Sequence, residues 1–411
     1  MLHVGIDIHK RIHEVVVLND LGKPCGKSFK IHNTHDDLQM LIERVQKVNP
    51  EGEPLRFGVE ATGHYWLALY AHLTAAGQEV IILNPLRTYA YRARSVRPVK
   101  NDRIDARCIA EIIRTEPTTD YHLSDQELMG LRQLTRLRVE MVDLVSAQKR
   151  RLLAVLDQAF PEFETFFREK YCKSALALLQ TYPTPADMVA ADLDELTSLL
   201  EQTSRKHYGR EKAEAIQKAA HQSFGVHFGQ KANGIQIKML AGQIAYLEAQ
   251  QKELDREIAA YLDAIPNCLT TITGIGDILA AAILGEIGDI RRFKNAKSLV
   301  AYAGIDPNVV QSGEFTGKRA HLSKRGSTHL RRAIWLASTA ATRSDPALKV
   351  LLKKKMDEGK PYHVALGAIA NKLLHIIYAV LRDNKPYYSP VIAGAAVPAS
   401  SALTGERLYP A

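Results

Sequence analysis

Between Ile237 and Tyr261 one face recurs three and four residues apart without a slip: Ile237, Leu240, Ile244, Leu247, Gln251, Leu254, Ile258 and Tyr261. Only a helix gathers residues at that spacing, and so narrow a seam with polar flanks predicts coiled-coil association. Gln251, the one polar residue among aliphatic neighbours, stands at an a position where it can fix register. The competing reading is a long helix packed on its own domain. At 411 residues, the chain has room for two or three domains around this helix, each with its own core.

The first third reads differently. Residues 3–31 alternate and are rich in Val and Ile, with a turn at Asp20-Leu21-Gly22, which predicts consecutive antiparallel strands. Asn33-Thr34 can cap a helix from about Asp36 to Val48 with Leu38, Leu41, Ile42 and Val45 inward. A short strand follows from Arg56 to Glu60, then a helix opened by Thr62-Gly63, then a strand from Glu79 to Leu83. Three antiparallel strands followed by strand, helix, strand, helix is the order of an α/β, ribonuclease H-like domain. We read it as residues 1–120. Residues 121–264 read as a helical, coiled-coil region with an insert at about 161–230 to which the sequence attaches no chemistry. Residues 265–385 read as a mainly α C-terminal domain, and 386–411, rich in Ala, Ser, Pro and Gly, as a flexible tail.

The chain carries a net charge of +9 with a pI near 9.2, which favours a polyanionic partner. The excess is concentrated. From Leu86 to Thr115 eight bases face three acids, and from Gln311 to Lys355 eleven bases face Glu314 and Asp345 alone. Cys25, Cys108, Cys172 and Cys268 lack metal-ligand spacing, so a reduced, cytoplasmic protein is expected. No stretch reaches the ~18 unbroken apolar residues of a membrane span, and the first residues lack the layout of a signal peptide. No membrane partner is expected.

Four carboxylates stand out by position. Asp7 interrupts an apolar strand and faces the side opposite Ile6 and Ile8. Glu60 ends the strand Phe57-Gly58-Val59-Glu60, where a buried carboxylate costs free energy unless a cation or donors compensate. Asp102 and Asp105 lie three apart at a helix start and share one face. Converging, the four would make a hard, oxygen-rich site suited to Mg²⁺ or Mn²⁺ on a phosphodiester. Taken singly, Asp102 reads as a helix cap and Asp105 as a surface partner of Arg103 or Arg107.

Together these residues carry a resemblance. Gly5-Ile6-Asp7-Ile8-His9-Lys10, Val59-Glu60-Ala61-Thr62-Gly63 and Lys100-Asn101-Asp102-Arg103-Ile104-Asp105-Ala106 are similar to the RuvC-like DEDD domain of the IS-one-ten family of insertion-sequence transposases. The similarity resumes at Gly274-Ile275-Gly276, Ala301-Tyr302-Ala303-Gly304-Ile305-Asp306-Pro307, Gln311-Ser312-Gly313, Leu322-Ser323-Lys324-Arg325-Gly326 and Leu330-Arg331-Arg332-Ala333. The resemblance implies that Asp7, Glu60, Asp102 and Asp105 hold the metal and that Ser312 is the nucleophile of a covalent phosphoserine intermediate. It also implies donor and target DNA as substrates, a structured non-coding guide RNA, and dimers assembling to a tetramer. Candidate nucleic-acid contacts are Lys100, Arg103, Arg319, Lys324, Arg325, Arg331 and Arg332. The residues themselves lend Ser312 modest support, since its loop between Gly304 and Gly317 leads into Lys318-Arg319 and Lys324-Arg325.

Three other readings compete. A RuvC-like junction resolvase would keep the carboxylates but use water as nucleophile. An actin-like sugar kinase would need Gly-rich phosphate loops in a second domain, and these are missing. A non-catalytic RNA scaffold would have no use for buried carboxylates.

Overall fold

The computed structural model describes residues 1–61, 63–83, 85–92, 101–116, 126–307, 311–312, 315–316 and 321–390. For Leu86, Gln126, Gln311, Ser312, Phe315 and Thr316 it describes the backbone alone. The chain divides into two units, Met1–Leu123 and Ser124–Ala411.

Alternation in the first unit produces β1 (Leu2–Asp7), β2 (Ile12–Asn19) and β3 (Phe29–His32). They are followed by α1 (His35–Lys47), β4 (Leu55–Glu60), α2 (Trp66–Ala75), β5 (Glu79–Leu83), α3 (Pro85–Arg92) and α4 (Asp102–Thr115). One sheet runs β3-β2-β1-β4-β5, with β1, β2 and β3 antiparallel and β1, β4 and β5 parallel. Val4, Ile6, Val15, Val17, Phe57 and Val59 project from one face onto Leu38, Leu41 and Val45 of α1 and Leu69 and Leu73 of α2. From the other face Val16 and Leu18 meet Ala106 and Ala110, and Ile81 and Leu83 meet Ile109, Ile112 and Ile113, all on α4. The sheet is thus covered on both faces, the α/β arrangement that the period-two and period-3.6 patterns predict.

Gly5 sets how closely α4 approaches the sheet. A Cβ there would lie 2.1 Å from the Ala106 carbonyl oxygen and 2.5 Å from the Ala110 nitrogen. Backbone meets backbone at that point, so only glycine permits the contact. The approach brings the first turn of α4 to the C-terminal ends of β1 and β4.

The second unit is mainly helical. Its spine is α5 (Gln126–Ala159), with α6 (Lys173–Thr181), α7 (Pro185–Ala190), α8 (Leu193–Ser204) and α9 (Arg210–His221) leading to α10 (Gln230–Asp263). Then come α11 (Asp277–Ile287), α12 (Ala296–Ala303), β6 (Gln311–Ser312), β7 (Phe315–Thr316), α13 (Thr328–Ser344), α14 (Pro346–Asp357) and α15 (Tyr362–Asp383).

The seam on α10 is filled from within the chain, which corrects the expectation of association between chains. Ile237, Ile244, Leu254 and Ile258 are buried. α5 runs antiparallel beside α10: Lys149 pairs with Glu248 at 2.7 Å, Arg138 with Asp255 at the next turns, and the Tyr261 ring covers Gly130. Both helices have 34 residues, so the chain supplies a partner of matching length and no second copy is needed to bury the seam.

Two separate cores sit on this spine. Helices α6–α9 close around Leu152, Leu156, Phe160, Ile237, Ala241 and Ile244. At the other end Leu131, Leu254, Ile258 and Leu262 join Ile283, Leu299, Ile334, Leu366, Ile369 and Leu373. Among the described residues one helix, Tyr362–Asp383, is long and apolar enough to cross a membrane, yet half of its apolar window is buried in this second core. The stretch after Pro386 is held down at its start, where the Tyr387 hydroxyl and the Ser389 hydroxyl donate to Asp345 at 3.2 and 3.1 Å. The rest of the tail, from residue 391, lies outside the described residues.

Candidate active site

Asn101 begins α4 by accepting a hydrogen bond from the Ile104 backbone at 3.2 Å. The cap is therefore Asn101, and Asp102 and Asp105 are left on the first helical turn with their side chains on one face. Asp7 ends β1, pointing to the same side of the sheet as Gly5, and Glu60 ends the neighbouring β4. All four predicted carboxylates come to one end of the sheet. Asp7, Glu60 and Asp105 are sheltered, at 16%, 17% and 12% side-chain exposure, whereas Asp102 is open at 56%.

Two groups missed by the carboxylate pattern bridge these acids. His9 Nε2 lies 3.2 Å from Asp7 Oδ2 and 3.4 Å from Asp102 Oδ1. Arg92, at the end of α3, donates to Asp105 at 2.9 Å and stands 4.0 Å from Glu60 Oε2. Asp105 is thus partnered by Arg92 rather than by Arg103 or Arg107. The Thr88 hydroxyl donates to Glu60 Oε2 at 2.5 Å. The signal for His9 was available, because two residues along a strand from Asp7 is the same face. Arg92 was one of eight bases in its stretch with nothing to single it out. Glu14, buried at 7% exposure, lies directly across from Asp7 on β2.

Burial pushes the Asp7 carboxyl up to about 6; His9 opposes this, while the charges of Asp105, Asp102 and Glu60 add to it. Carboxylates that raise one another's affinity for protons raise their affinity for a divalent cation for the same reason. Oxygen donors from two strand ends and one helix turn fit such an ion, and the open side at Asp102 leaves positions for a phosphate.

In the second unit, Ser312 lies in β6 with its backbone opposite Phe315 of β7. The segments flanking this hairpin are tied together. Pro307 bridges Leu322, the Ser323 amide donates to the Asp306 carbonyl at 2.9 Å, and the Lys324 amide donates to Gly304 at 3.1 Å. Gly326 presses onto α12, where a Cβ would lie 2.0 Å from the Tyr302 carbonyl oxygen. Of the predicted basic contacts, Arg103, Lys324 and Arg325 are exposed. Arg331 donates to the Ala303 carbonyl at 3.2 Å, and Arg332 makes a two-pronged pair with Asp143 at 2.7 and 2.8 Å. Lys100 and Arg319 lie outside the described residues.

Glu286 anchors the base of this region. Its carboxylate, 1% exposed, accepts from Arg136 Nε at 2.6 Å and from Ser327 Oγ at 2.7 Å, with Arg132 Nε 3.5 Å away. Ser327 in turn caps α13. Burial raises the Glu286 pKa, but the bond from Arg136, the charges of Arg132 and Arg136, and the Ser327 bond outweigh it and hold it below the usual range. A depressed carboxyl pKa contributes stability above the unfolded value near 4.5 and loses it as pH falls through the folded one. Glu286→Gln is expected to cost about 2–3 kcal/mol at pH 7, under the ~3–5 of a fully buried broken pair because both guanidiniums keep over a third of their surface in water. Denaturant titrations should show that cost holding down to about pH 4.5 and shrinking as the pH falls further. A cost independent of pH would rule out this role.

A transposase family model matches residues 4–161, which span β1 through α5, and a model described as "Transposase IS116/IS110/IS902 family" matches residues 267–353. The chain belongs to the IS110 family of transposases. This IS110-family protein is a DNA-acting enzyme of the transposase and recombinase type. It is 30% identical to an insertion element IS116 protein of Streptomyces clavuligerus, over 93% of this chain and 95% of that one. It is also 30% identical to a pilin gene-inverting protein of Moraxella bovis, over 94% and 97% of the two chains. The mini-circle putative transposase for IS117 of Streptomyces coelicolor shares 26% identity over 95% of this chain and 98% of its own. The family suggests dependence on a divalent metal, in keeping with the acidic cluster.

Proposed function

We propose that this transposase cuts and rejoins DNA through a covalent phosphoserine at Ser312, with a divalent ion, Mg²⁺ or Mn²⁺, held by Asp7, Glu60, Asp102 and Asp105. The observation that carries this reading is the gathering of those four carboxylates, from three elements, at one end of the sheet. The strand order β3-β2-β1-β4-β5 supports a RuvC-like fold for the first unit. When bound, the ion would lower the charge on a phosphodiester and orient its oxygens.

The Ser312 oxygen forms a bond to phosphorus, the bond from phosphorus to one deoxyribose oxygen breaks, and that oxygen takes up a proton. A sugar hydroxyl of another strand then attacks the phosphoserine, reseals the DNA and returns the serine. The phosphodiester is conserved throughout, so no nucleotide triphosphate is consumed. Lys324, Arg325 and Arg319 supply charge for the developing pentacoordinate phosphorus. Lys100, Arg103, Arg331 and Arg332 belong to the wider nucleic-acid surface, with the last two also held within the fold. Inversion and transposition by the relatives support strand exchange between donor and target DNA. Guidance by a structured RNA, assembly of dimers into a tetramer and residence with cytoplasmic DNA rest on family resemblance.

Chelation tests the metal. EDTA is expected to reduce strand exchange by at least ~10³-fold, with Mg²⁺ or Mn²⁺ restoring it. Undiminished exchange in the chelator would sink the proposal. Free 5′-phosphate ends with no attached protein would instead favour a resolvase using water.

A further inference from the structure

His9 has no place in a four-carboxylate site, yet its ring nitrogen sits between two of the four acids. One oxygen each of Asp7 and Asp102 and one ring nitrogen of His9 lie within 4.8 Å of one another. That is the spacing of donors around one ion, and it combines two hard oxygens with one borderline nitrogen.

The backbone of His9 is itself held. Its amide donates to His13 Nδ1 at 3.3 Å, and the His13 ring is fully buried at the start of β2. The turn between β1 and β2 therefore presents His9 from a fixed point. Half of the His9 side chain is exposed, at 51%, which leaves solvent-facing positions for other ligands.

We propose that His9 is a nitrogen ligand of the divalent ion held by Asp7 and Asp102, and that it tilts the site toward Mn²⁺ over Mg²⁺. The inference rests on the metal reading of the acidic cluster. Carboxylates and water suit Mg²⁺ and Mn²⁺ alike, whereas imidazole suits transition ions, so Mn²⁺ is the ion that uses the whole donor set. His9→Gln removes the ring nitrogen and keeps a side chain of similar reach.

Mn²⁺ and Mg²⁺ binding to the full chain is measured by titration, and bound Mn²⁺ is examined by pulsed electron paramagnetic resonance. The wild type is expected to show nitrogen modulation from one imidazole. In H9Q that modulation should vanish and the Mn²⁺ affinity fall by about 10-fold or more, while Mg²⁺ affinity changes less than threefold and certifies the fold. Modulation that persists in H9Q, or an Mn²⁺ affinity unchanged from the wild type, overturns the role of His9. Equal loss of both ions overturns the selectivity. Asp7→Asn separates this failure from that of the parent reading: if D7N binds Mn²⁺ as the wild type does, the acidic cluster is not the metal site and His9 falls with it.

Discussion

Replacing Ser312 by alanine is expected to abolish the protein–DNA adduct and to reduce strand exchange by about 10⁴-fold or more. A nucleophile that forms a covalent intermediate has no substitute when its oxygen is removed, so the loss is of the magnitude seen for covalent catalysis as a whole. The fold should be untouched. Ser312 holds its place in β6 through backbone pairing with Phe315, and the flanking segments are fixed by Pro307–Leu322 and by amide bonds to Gly304 and Asp306. Denaturing gels of protein mixed with labelled substrate read the adduct directly. Ser323 and Ser327 make demanding controls, because they stand nearby in sequence but are engaged with Asp306 and Glu286. An adduct of normal yield in S312A would show that another residue attacks the phosphate.

Gly5→Val is expected to destabilise the first unit by about 3 kcal/mol or more and to abolish metal binding. Overpacking a tight contact costs about 1–3 kcal/mol when side chains can yield. Here the obstacles are the Ala106 carbonyl and the Ala110 nitrogen, which belong to the backbone of α4 and cannot rotate away. The helix must lift, and its first turn, with Asp102 and Asp105, lifts with it. A fall of about 10 °C or more in the melting transition of this unit is expected, together with loss of Mn²⁺ affinity beyond what unfolding explains. A G5V protein that melts and binds like the wild type would show that α4 is not seated on β1 as described.

Much of this molecule could be read from its sequence because side-chain periodicity reports local structure. Strands β1 to β3 follow the Val and Ile alternation, and α1, β4 and β5 begin and end within one residue of their expected bounds. Asp7 and Glu60 were legible because each interrupts or terminates an apolar run, where an acid is costly without a reason, and Asp102 and Asp105 because they lie three apart at a helix start. What could not be read was pairing over distance. Nothing in the spacing of α10 says whether its seam faces a second chain or α5, since both satisfy the same three-and-four repeat. Likewise Arg92 becomes distinctive only when folding brings the end of α3 beside Asp105. Glu286 was silent for a similar reason: its partners lie 150 and 41 positions away, at Arg136 and Ser327.

The twin helices α5 and α10 carry one hydrophobic cluster at each end, and among the described residues no side chain belongs to both. Material can therefore be added or trimmed at the α6–α9 tip without repacking the ground on which the serine hairpin stands. That tip is where lineages are free to diverge in length, and where an engineer can graft a cargo domain onto a working recombinase.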